Sequence, residues 1–271
     1  MNIAICFDKN FQKWATVCLS SIVENYRGNQ KIRLFILSDV KYEKSIPQLK
    51  RVLKNFEFSF DNPGSDFDSL PTGFHFNVTT YWRLALPRVL TRYGVEKAIY
   101  LDTDTLVVDD ISSLFNLNLN DKYCGACLDI GATQHTKQMS LNQGFAINGG
   151  VLLMNVPKMN VIDWVAEAHR LNEEGRIRWV DQDVLNILLD GKIKLIDLKW
   201  NVQSGNFQNG YIGDVSIVHF TESGNTKPWS YKCKHFYIRT YNTYIRKSGF
   251  FWDYCRLESV RRIKKILKFQ N

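Results

Sequence analysis

The chain has 271 residues, is 45% hydrophobic and 13% aromatic, and carries a formal net charge of +8. This is enough apolar material for a large buried core, in one big domain or two small ones. No run approaches the roughly 18 consecutive apolar residues of a membrane span. The start, from Met1 to Asp8, has no basic segment, and its apolar run is too short for a signal peptide, so residues 3–7 are predicted as a first strand. Phe11, Trp14, Ala15, Cys18, Leu19, Ile22, Val23 and Tyr26 then recur at helical spacing and predict an amphipathic helix over 11–26. Residues 33–37 read as a strand, 43–55 as a helix, 57–60 as a strand, and 79–89 as a helix with Pro87 near its end. A strand over 97–101 follows. The second half is more mixed, with strands near 123–128, 146–154, 193–197 and 215–220 and a helix over 160–174. The βαβ rhythm predicts an α/β fold with a parallel sheet flanked by helices on both faces. No internal repeat or low-complexity linker interrupts it.

The six cysteines follow no disulfide spacing. Cys124-Gly125-Ala126-Cys127 is a lone Cys-x-x-Cys in a strand-like segment, which points to buried, reduced thiols rather than a metal or redox site. This cysteine usage and the missing export signal suit a cytoplasmic protein. The charge is unevenly placed. From Arg256 to Asn271 six Lys/Arg stand against Glu258 alone, which accounts for +5 of the total. On a helical wheel Leu257, Val260, Ile263, Ile266 and Leu267 share one side, and Arg261, Arg262, Lys265 and Lys268 the other. Such a tail, preceded by Phe250, Phe251, Trp252 and Tyr254, fits attachment to an anionic membrane surface; a helix packed on the domain with a solvated basic face fits the same pattern. Nucleic acid is disfavoured, because zinc-finger spacing and RNA-binding aromatic motifs are both missing.

Asp102 and Asp104 say most about chemistry. They follow an apolar strand, where a bare charge is costly unless paired or bound to a metal. Residues i and i+2 of an extended chain project to one side, so both carboxylates can face one ion. Oxygen ligands suit Mn²⁺ or Mg²⁺, and such ions commonly hold substrate phosphates. The usual glycine-rich phosphate loops are missing, so the metal would have to neutralise a phosphate instead. Asp8 and Asn10 after the first strand could face a base or ribose, or one of them could cap the next helix. His219, at a strand end, could complete the coordination sphere, and Lys227 could hold a diphosphate. Gly149 and Gly150, after Asn148, let a ligand or another backbone approach closely. Asp181, Gln182 and Asp183 open a helical stretch; capping accounts for one of the acids but not for Gln182.

Together, Asp8-Lys9-Asn10, Thr79-Thr80-Tyr81-Trp82-Arg83, Tyr100-Leu101-Asp102-Thr103-Asp104, Asn148-Gly149-Gly150, Asp181-Gln182-Asp183 and His219 with Lys227-Pro228-Trp229 resemble glycosyltransferase family 8. Within it, the chain is most similar to bacterial lipopolysaccharide galactosyl- and glucosyltransferases. The resemblance covers residues 1 to about 230 in the family's order. It implies a GT-A catalytic domain over 1–230, with a Rossmann-like mixed sheet, followed by an aromatic and basic C-terminal region over 231–271. It also implies a retaining, Mn²⁺-dependent transfer of galactose or glucose from a UDP-sugar to a saccharide or lipid-linked saccharide. By position, Asp102, Asp104 and His219 would ligate Mn²⁺, and Asp8 and Asn10 would contact uridine. Arg83, Asp102, Asn148 and Asp181 would orient the donor sugar. Lys227 and the backbone of Gly224 would contact the diphosphate. Gln182 would lie beside the anomeric carbon, with Asp181 the neighbouring carboxylate. Ile147 and Gly149 depart from the family's usual residues at the sugar end, which leaves the donor hexose open. Two other classes share the paired acids: a metal-dependent nucleotidyltransferase, which would release pyrophosphate, and a non-catalytic sugar-nucleotide-binding protein.

Overall fold

The computed structural model describes all residues except 73–76, 132–135, 137–138, 222–225, 231 and 269–271; of 257, 261 and 264–268 it describes the backbone alone. The expected strand–helix rhythm builds a seven-stranded sheet. Its strands are β1 (Asn2–Cys6), β2 (Arg33–Leu37), β3 (Glu57–Asp61), β4 (Lys97–Leu101), β6 (Cys124–Leu128), β7 (Ile147–Asn155) and β8 (Ile193–Leu195). Their order is β3-β2-β1-β4-β7-β6-β8. The first four run parallel, while β7 is antiparallel to both β4 and β6, so the sheet is mixed rather than purely parallel.

Alternation along the strands assigns the two faces. Ile3, Ile5 and Phe7 turn toward α1 (Gln12–Asn25) and α2 (Pro47–Leu53), whose Cys18, Leu19, Ile22, Leu49 and Val52 complete that core. Ala4, Cys6 and Tyr100 turn the other way. They meet α3 (Leu86–Arg92) and, beyond α4 (Ser112–Asn116) and α5 (Val156–Met159) in the chain, α6 (Trp164–Glu173) and α7 (Val180–Leu188). Cys124 and Cys127 are buried free thiols, and burial pushes the Cys124 thiol up to about 12, as an inert core residue requires.

Prolines moved two helix boundaries. The helix expected over 43–55 is a 3₁₀ turn, Tyr42–Lys44, followed by α2, which opens at Pro47. The helix expected over 79–89 is 3₁₀ over Val78–Ala85 and becomes α-helical only in α3, where Pro87 lies in the first turn rather than near the end. Proline lacks the N–H a helix interior needs and is accepted in the first turn, so both residues mark starts.

A second, three-stranded sheet was not expected. It holds β5 (Thr105–Val107), β9 (Val202–Gln203) and β10 (Ile217–His219), in the order β5-β10-β9. α8 (Ser204–Gln208) follows β9. Leu106, Val218 and Phe220 pack with Tyr241, Tyr244, Ile245 and Phe250, so α9 (Ile238–Lys247) joins a third core and the packed chain extends to Phe250. The last helix, α10 (Phe251–Lys268), begins before Arg256 and takes in the aromatic stretch. Its first turn is tied down by a Lys13–Asp253 ion pair and by Arg246 over Tyr254, whereas Trp252 is 80% and Ile263 55% exposed. Among the described residues no helix is long and apolar enough to cross a membrane.

Candidate active site

The chain runs β1, β2, β3 outward to one edge and returns to β4 on the other side of β1. That reversal makes the carboxyl ends of β1 and β4 a topological switch point, the usual ligand position in such sheets. Asp8 follows β1 and Asp102 follows β4, one on each side of it. Asp8 Oδ1 accepts the backbone N–H of Asn10 (2.8 Å) and Phe11 (3.0 Å), and Oδ2 accepts from Asn77 Nδ2 (3.1 Å). Asp8 therefore caps the turn leading into α1 rather than the helix itself, whose N-cap is Phe11. Asn10 is exposed on the same turn.

Asp102-Thr103-Asp104 is a turn, not the extended segment expected. Thr105 closes it, with its N–H (3.1 Å) and Oγ1 (2.7 Å) both donating to the Asp102 carbonyl. Here the chain leaves the large sheet and enters the small one as β5. Pairing of β5 with β10 sets Thr105 opposite His219, which carries the histidine to the turn across more than a hundred residues of sequence. His219 Nε2 lies 3.2 Å from Asp104 Oδ1 and 3.8 Å from Asp102 Oδ2. Among the described residues these three form the one group of acids, histidines and cysteines that could hold an ion, with one ligand atom each, all within 4.8 Å. Two carboxylate oxygens and an imidazole nitrogen suit Mn²⁺ or a similar cation.

The charges around the turn are already balanced. Lys227 Nζ sits 2.5 Å from Asp104 Oδ2 and donates to the Phe220 carbonyl (2.6 Å). Burial opposes a charge on Asp104, but Lys227 and His219 together hold its carboxyl well below the usual range. Trp229 anchors this lysine segment by stacking on Trp14 (5.1 Å) and meeting Phe11 edge-on (5.6 Å). Gly224 lies outside the described residues.

Arg83 organises the other side of the Asp102 turn. Its Nη1 donates to the Gly149 carbonyl (2.7 Å), its Nη2 lies 3.0 Å from Asp102 Oδ1, and its Nε lies 2.7 Å from Asp181 Oδ2. The Nε–H is directed at the Thr80 carbonyl (3.2 Å), so Asp181 Oδ2 is ion-paired yet lacks a hydrogen-bond donor. Asp181 is 2% exposed, and burial pushes its carboxyl up to about 7 against the pull of Arg83. Tyr100 also donates to Asp102 Oδ1 (2.5 Å).

Asp181 and Gln182 begin α7. Asp183 is the capping acid: its Oδ2 accepts the backbone N–H of Arg178 and Trp179, each at 2.7 Å. Just before Asp181, Val180 has φ +43°, a strained position for a β-branched residue, of the kind that collects at functional sites. Gln182 Nε2 donates to Asp129 Oδ2, and its Oε1 accepts from Gly149 N–H (3.3 Å). Asn148, expected beside the sugar, has its Oδ1 occupied by Gly150 N–H (3.0 Å) and Asn201 Nδ2 (3.0 Å). Asp129, Asn201 and Tyr100 were not anticipated as site residues. Asp129 ends an apolar strand much as Asp102 does, and that signal was available.

The family model described as "Glycosyl transferase family 8" matches residues 2–233, and the chain belongs to that family. It is 27% identical to a putative glycosyltransferase of Haemophilus influenzae over 87% of this chain and 74% of that protein. It is 28% identical to the lipopolysaccharide glucosyltransferase WaaO of Escherichia coli over 84% and 72%, respectively. Among solved structures it is similar to the galactosyltransferase LgtC in complex with donor and acceptor sugar analogues, with a TM-score of 0.81 at 23% identity over 91% of this chain and 96% of LgtC. The fold is GT-A.

Proposed function

We propose that this chain is a retaining hexosyltransferase, using a UDP-sugar and Mn²⁺, that transfers galactose or glucose to a hydroxyl of a saccharide or lipid-linked saccharide in bacterial surface polysaccharide synthesis. The observation that carries this is the convergence of Asp102, Asp104 and His219 on one point, beside Arg83, Asp181 and Gln182. Relatives named as lipopolysaccharide glucosyl- and galactosyltransferases support the acceptor class.

Asp102, Asp104 and His219 would hold the cation, which supplies Lewis-acid stabilisation of the leaving diphosphate. Mg²⁺ fits the same oxygen-rich set less well because of the imidazole. Lys227, on the loop after β10, turns from Asp104 to the diphosphate, and the backbone of Gly224 is assigned beside it by position in the family. Asp8 and Asn10 stand at the uridine end. Arg83 holds the Asp102 and Asp181 carboxyls in place to orient the donor sugar, with Asn148 on the neighbouring strand. Asp181 Oδ2, buried and without a donor, is an acceptor for a sugar hydroxyl.

Bond breaking leaves positive charge on the anomeric carbon. Gln182 Oε1 is a weak nucleophile but a good dipole for that charge, so attack by the acceptor hydroxyl on the face UDP leaves is the favoured route to retention. The departing phosphate takes the acceptor's proton. Incubation with Mn²⁺ and a panel of UDP-sugars is expected to release UDP, faster for galactose or glucose donors than for N-acetylhexosamine donors, and to stop with chelator. Release of a sugar 1-phosphate instead, or of pyrophosphate from UTP with a sugar 1-phosphate, would establish the nucleotidyltransferase chemistry, and binding without turnover the non-catalytic alternative.

The 256–271 tail is assigned to a peripheral contact with the inner, anionic face of the cell membrane. Exposed Trp252, Arg256, Arg262 and Ile263 support this, and each basic residue near such a surface contributes on the order of 1 kcal/mol. Co-sedimentation with anionic vesicles should be strong for the full chain, weaken with added salt, and be lost on removing 256–271. Equal sedimentation of both forms would refute it.

A further inference from the structure

His219 is gripped on the side facing away from the aspartates by a chain of amides whose polarity is forced. The Gly150 N–H can only donate, so the Asn148 atom facing it at 3.0 Å is the carbonyl Oδ1. That oxygen can only accept, so Asn201 presents its Nδ2 there, also at 3.0 Å. The other end of the Asn201 amide is then Oδ1, and it lies 3.0 Å from His219 Nδ1. An oxygen acceptor at this position requires the proton on Nδ1. That leaves Nε2, the atom directed at Asp104 and Asp102, as the nitrogen that can give its lone pair to an ion. Asn201 is fully buried between a 3₁₀ turn, Leu198–Trp200, and β9, the strand beside β10, so the small sheet fixes its distance from His219. The ring also lies close against Gly150, where an added Cβ would come within 2.0 Å of His219 Cε1. The Gly150 carbonyl, in turn, accepts the Asp102 N–H (2.8 Å).

We propose that Asn201 is a positioning residue for the metal-ligating histidine, an inference that rests on the metal-site reading above. It sets the His219 tautomer and ring angle, and through Asn148 it ties the metal ligand to the strand that borders the donor sugar. Partners of this kind govern metal affinity by about 10- to 100-fold.

The test uses the full chain. Long-range ¹H–¹⁵N correlation of the His219 ring, assigned by its disappearance in His219→Gln, is recorded metal-free at alkaline pH, where an imidazole holds one proton. The expected spectrum has the proton on Nδ1. Asn201→Leu should move it toward Nε2 and weaken Mn²⁺ binding in the presence of UDP, read from the electron paramagnetic resonance of free Mn²⁺, by about 10- to 100-fold. Asn201→Asp keeps an acceptor for Nδ1–H but loses the donor to Asn148 Oδ1, so it should keep the tautomer and isolates that part of the role. A native His219 protonated on Nε2 overturns the proposal. So does an Asn201→Leu chain that melts at the native temperature and binds Mn²⁺ with native affinity. If Asn201→Leu does not fold, the native spectrum and Asn201→Asp decide. Failure of the native chain to bind Mn²⁺ with UDP would remove the metal-site reading, whereas the metal-free tautomer bears on Asn201 alone.

Discussion

Asp104→Asn is expected to reduce UDP release from the donor by at least about a thousandfold while leaving the fold in place. In the proposed metal site the carboxylate is one of two anionic ligands, and a metal's stabilisation of the leaving group contributes several kcal/mol, each 1.36 kcal/mol being a factor of ten. The substitution conserves volume on a turn closed by Thr105, whose bonds run to the Asp102 backbone and do not involve the Asp104 side chain. Lys227 loses its carboxylate but keeps the Phe220 carbonyl. Thermal melts supply a readout independent of turnover. Mn²⁺ with UDP at a hundredfold excess over Kd should stabilise the native chain by about 2.7 kcal/mol. The Asp104→Asn chain should show little of that gain at the same concentrations. Native-like stabilisation by Mn²⁺ and UDP in the variant would show that Asp104 is not a ligand.

Arg83→Met should have the largest effect on stability. One guanidinium holds Asp102, Asp181 and the Gly149 carbonyl, and it lies over the Tyr100 ring at 5.0 Å. Burial disfavours its charge, but the two aspartates hold it firmly ionised. Methionine fills similar space but leaves two carboxylates facing each other with no cation between them. Breaking a buried pair from one side typically costs about 3–5 kcal/mol. At roughly 2–4 °C per kcal/mol for a chain of this size, the melting temperature should fall by roughly 10 °C. Arg83→Lys keeps the charge but not the planar fork that reaches three partners, and should fall between the two. An Arg83→Met chain that melts with the native one would mean that the aspartates are balanced by other groups.

The parts of the molecule legible in sequence are those where a residue's neighbours along the chain carry the signal. The apolar run before Asp102 marked a strand end, and the aspartates after it marked a site. Alternation in residues 3–7 and helical spacing in 11–26 marked the first layer. The small sheet was illegible because β5, β9 and β10 are two or three residues long, too short for a period to show. Its consequence, the meeting of His219 with the Asp102 turn, was open to the sequence only as one role a strand-end histidine could take, and resemblance to a family then specified it. Proline misled at residue 87 because its missing N–H suits a helix's first turn, and a periodic pattern running through it does not reveal where the helix begins. Asn201 meets groups distant in sequence, so no local pattern distinguishes it from other polar residues, whereas Asp129 carried a strand-end signal of the same kind as Asp102. In Asp181-Gln182-Asp183 the sequence left open which acid caps. The backbone N–H groups of Arg178 and Trp179 decide it in favour of Asp183, which leaves Asp181 to Arg83.

The central claim is transfer from a UDP-hexose with retention at a metal-dependent centre. It is tested most directly by proton NMR of the sugar freed when the enzyme, Mn²⁺ and the active UDP-hexose are mixed without an acceptor, so that water takes the acceptor's place. Spectra collected before mutarotation should show the α-anomer accumulating first, with no release when Asp104 is replaced. First appearance of the β-anomer would contradict the same-face geometry assigned to Gln182 and the retaining mechanism with it.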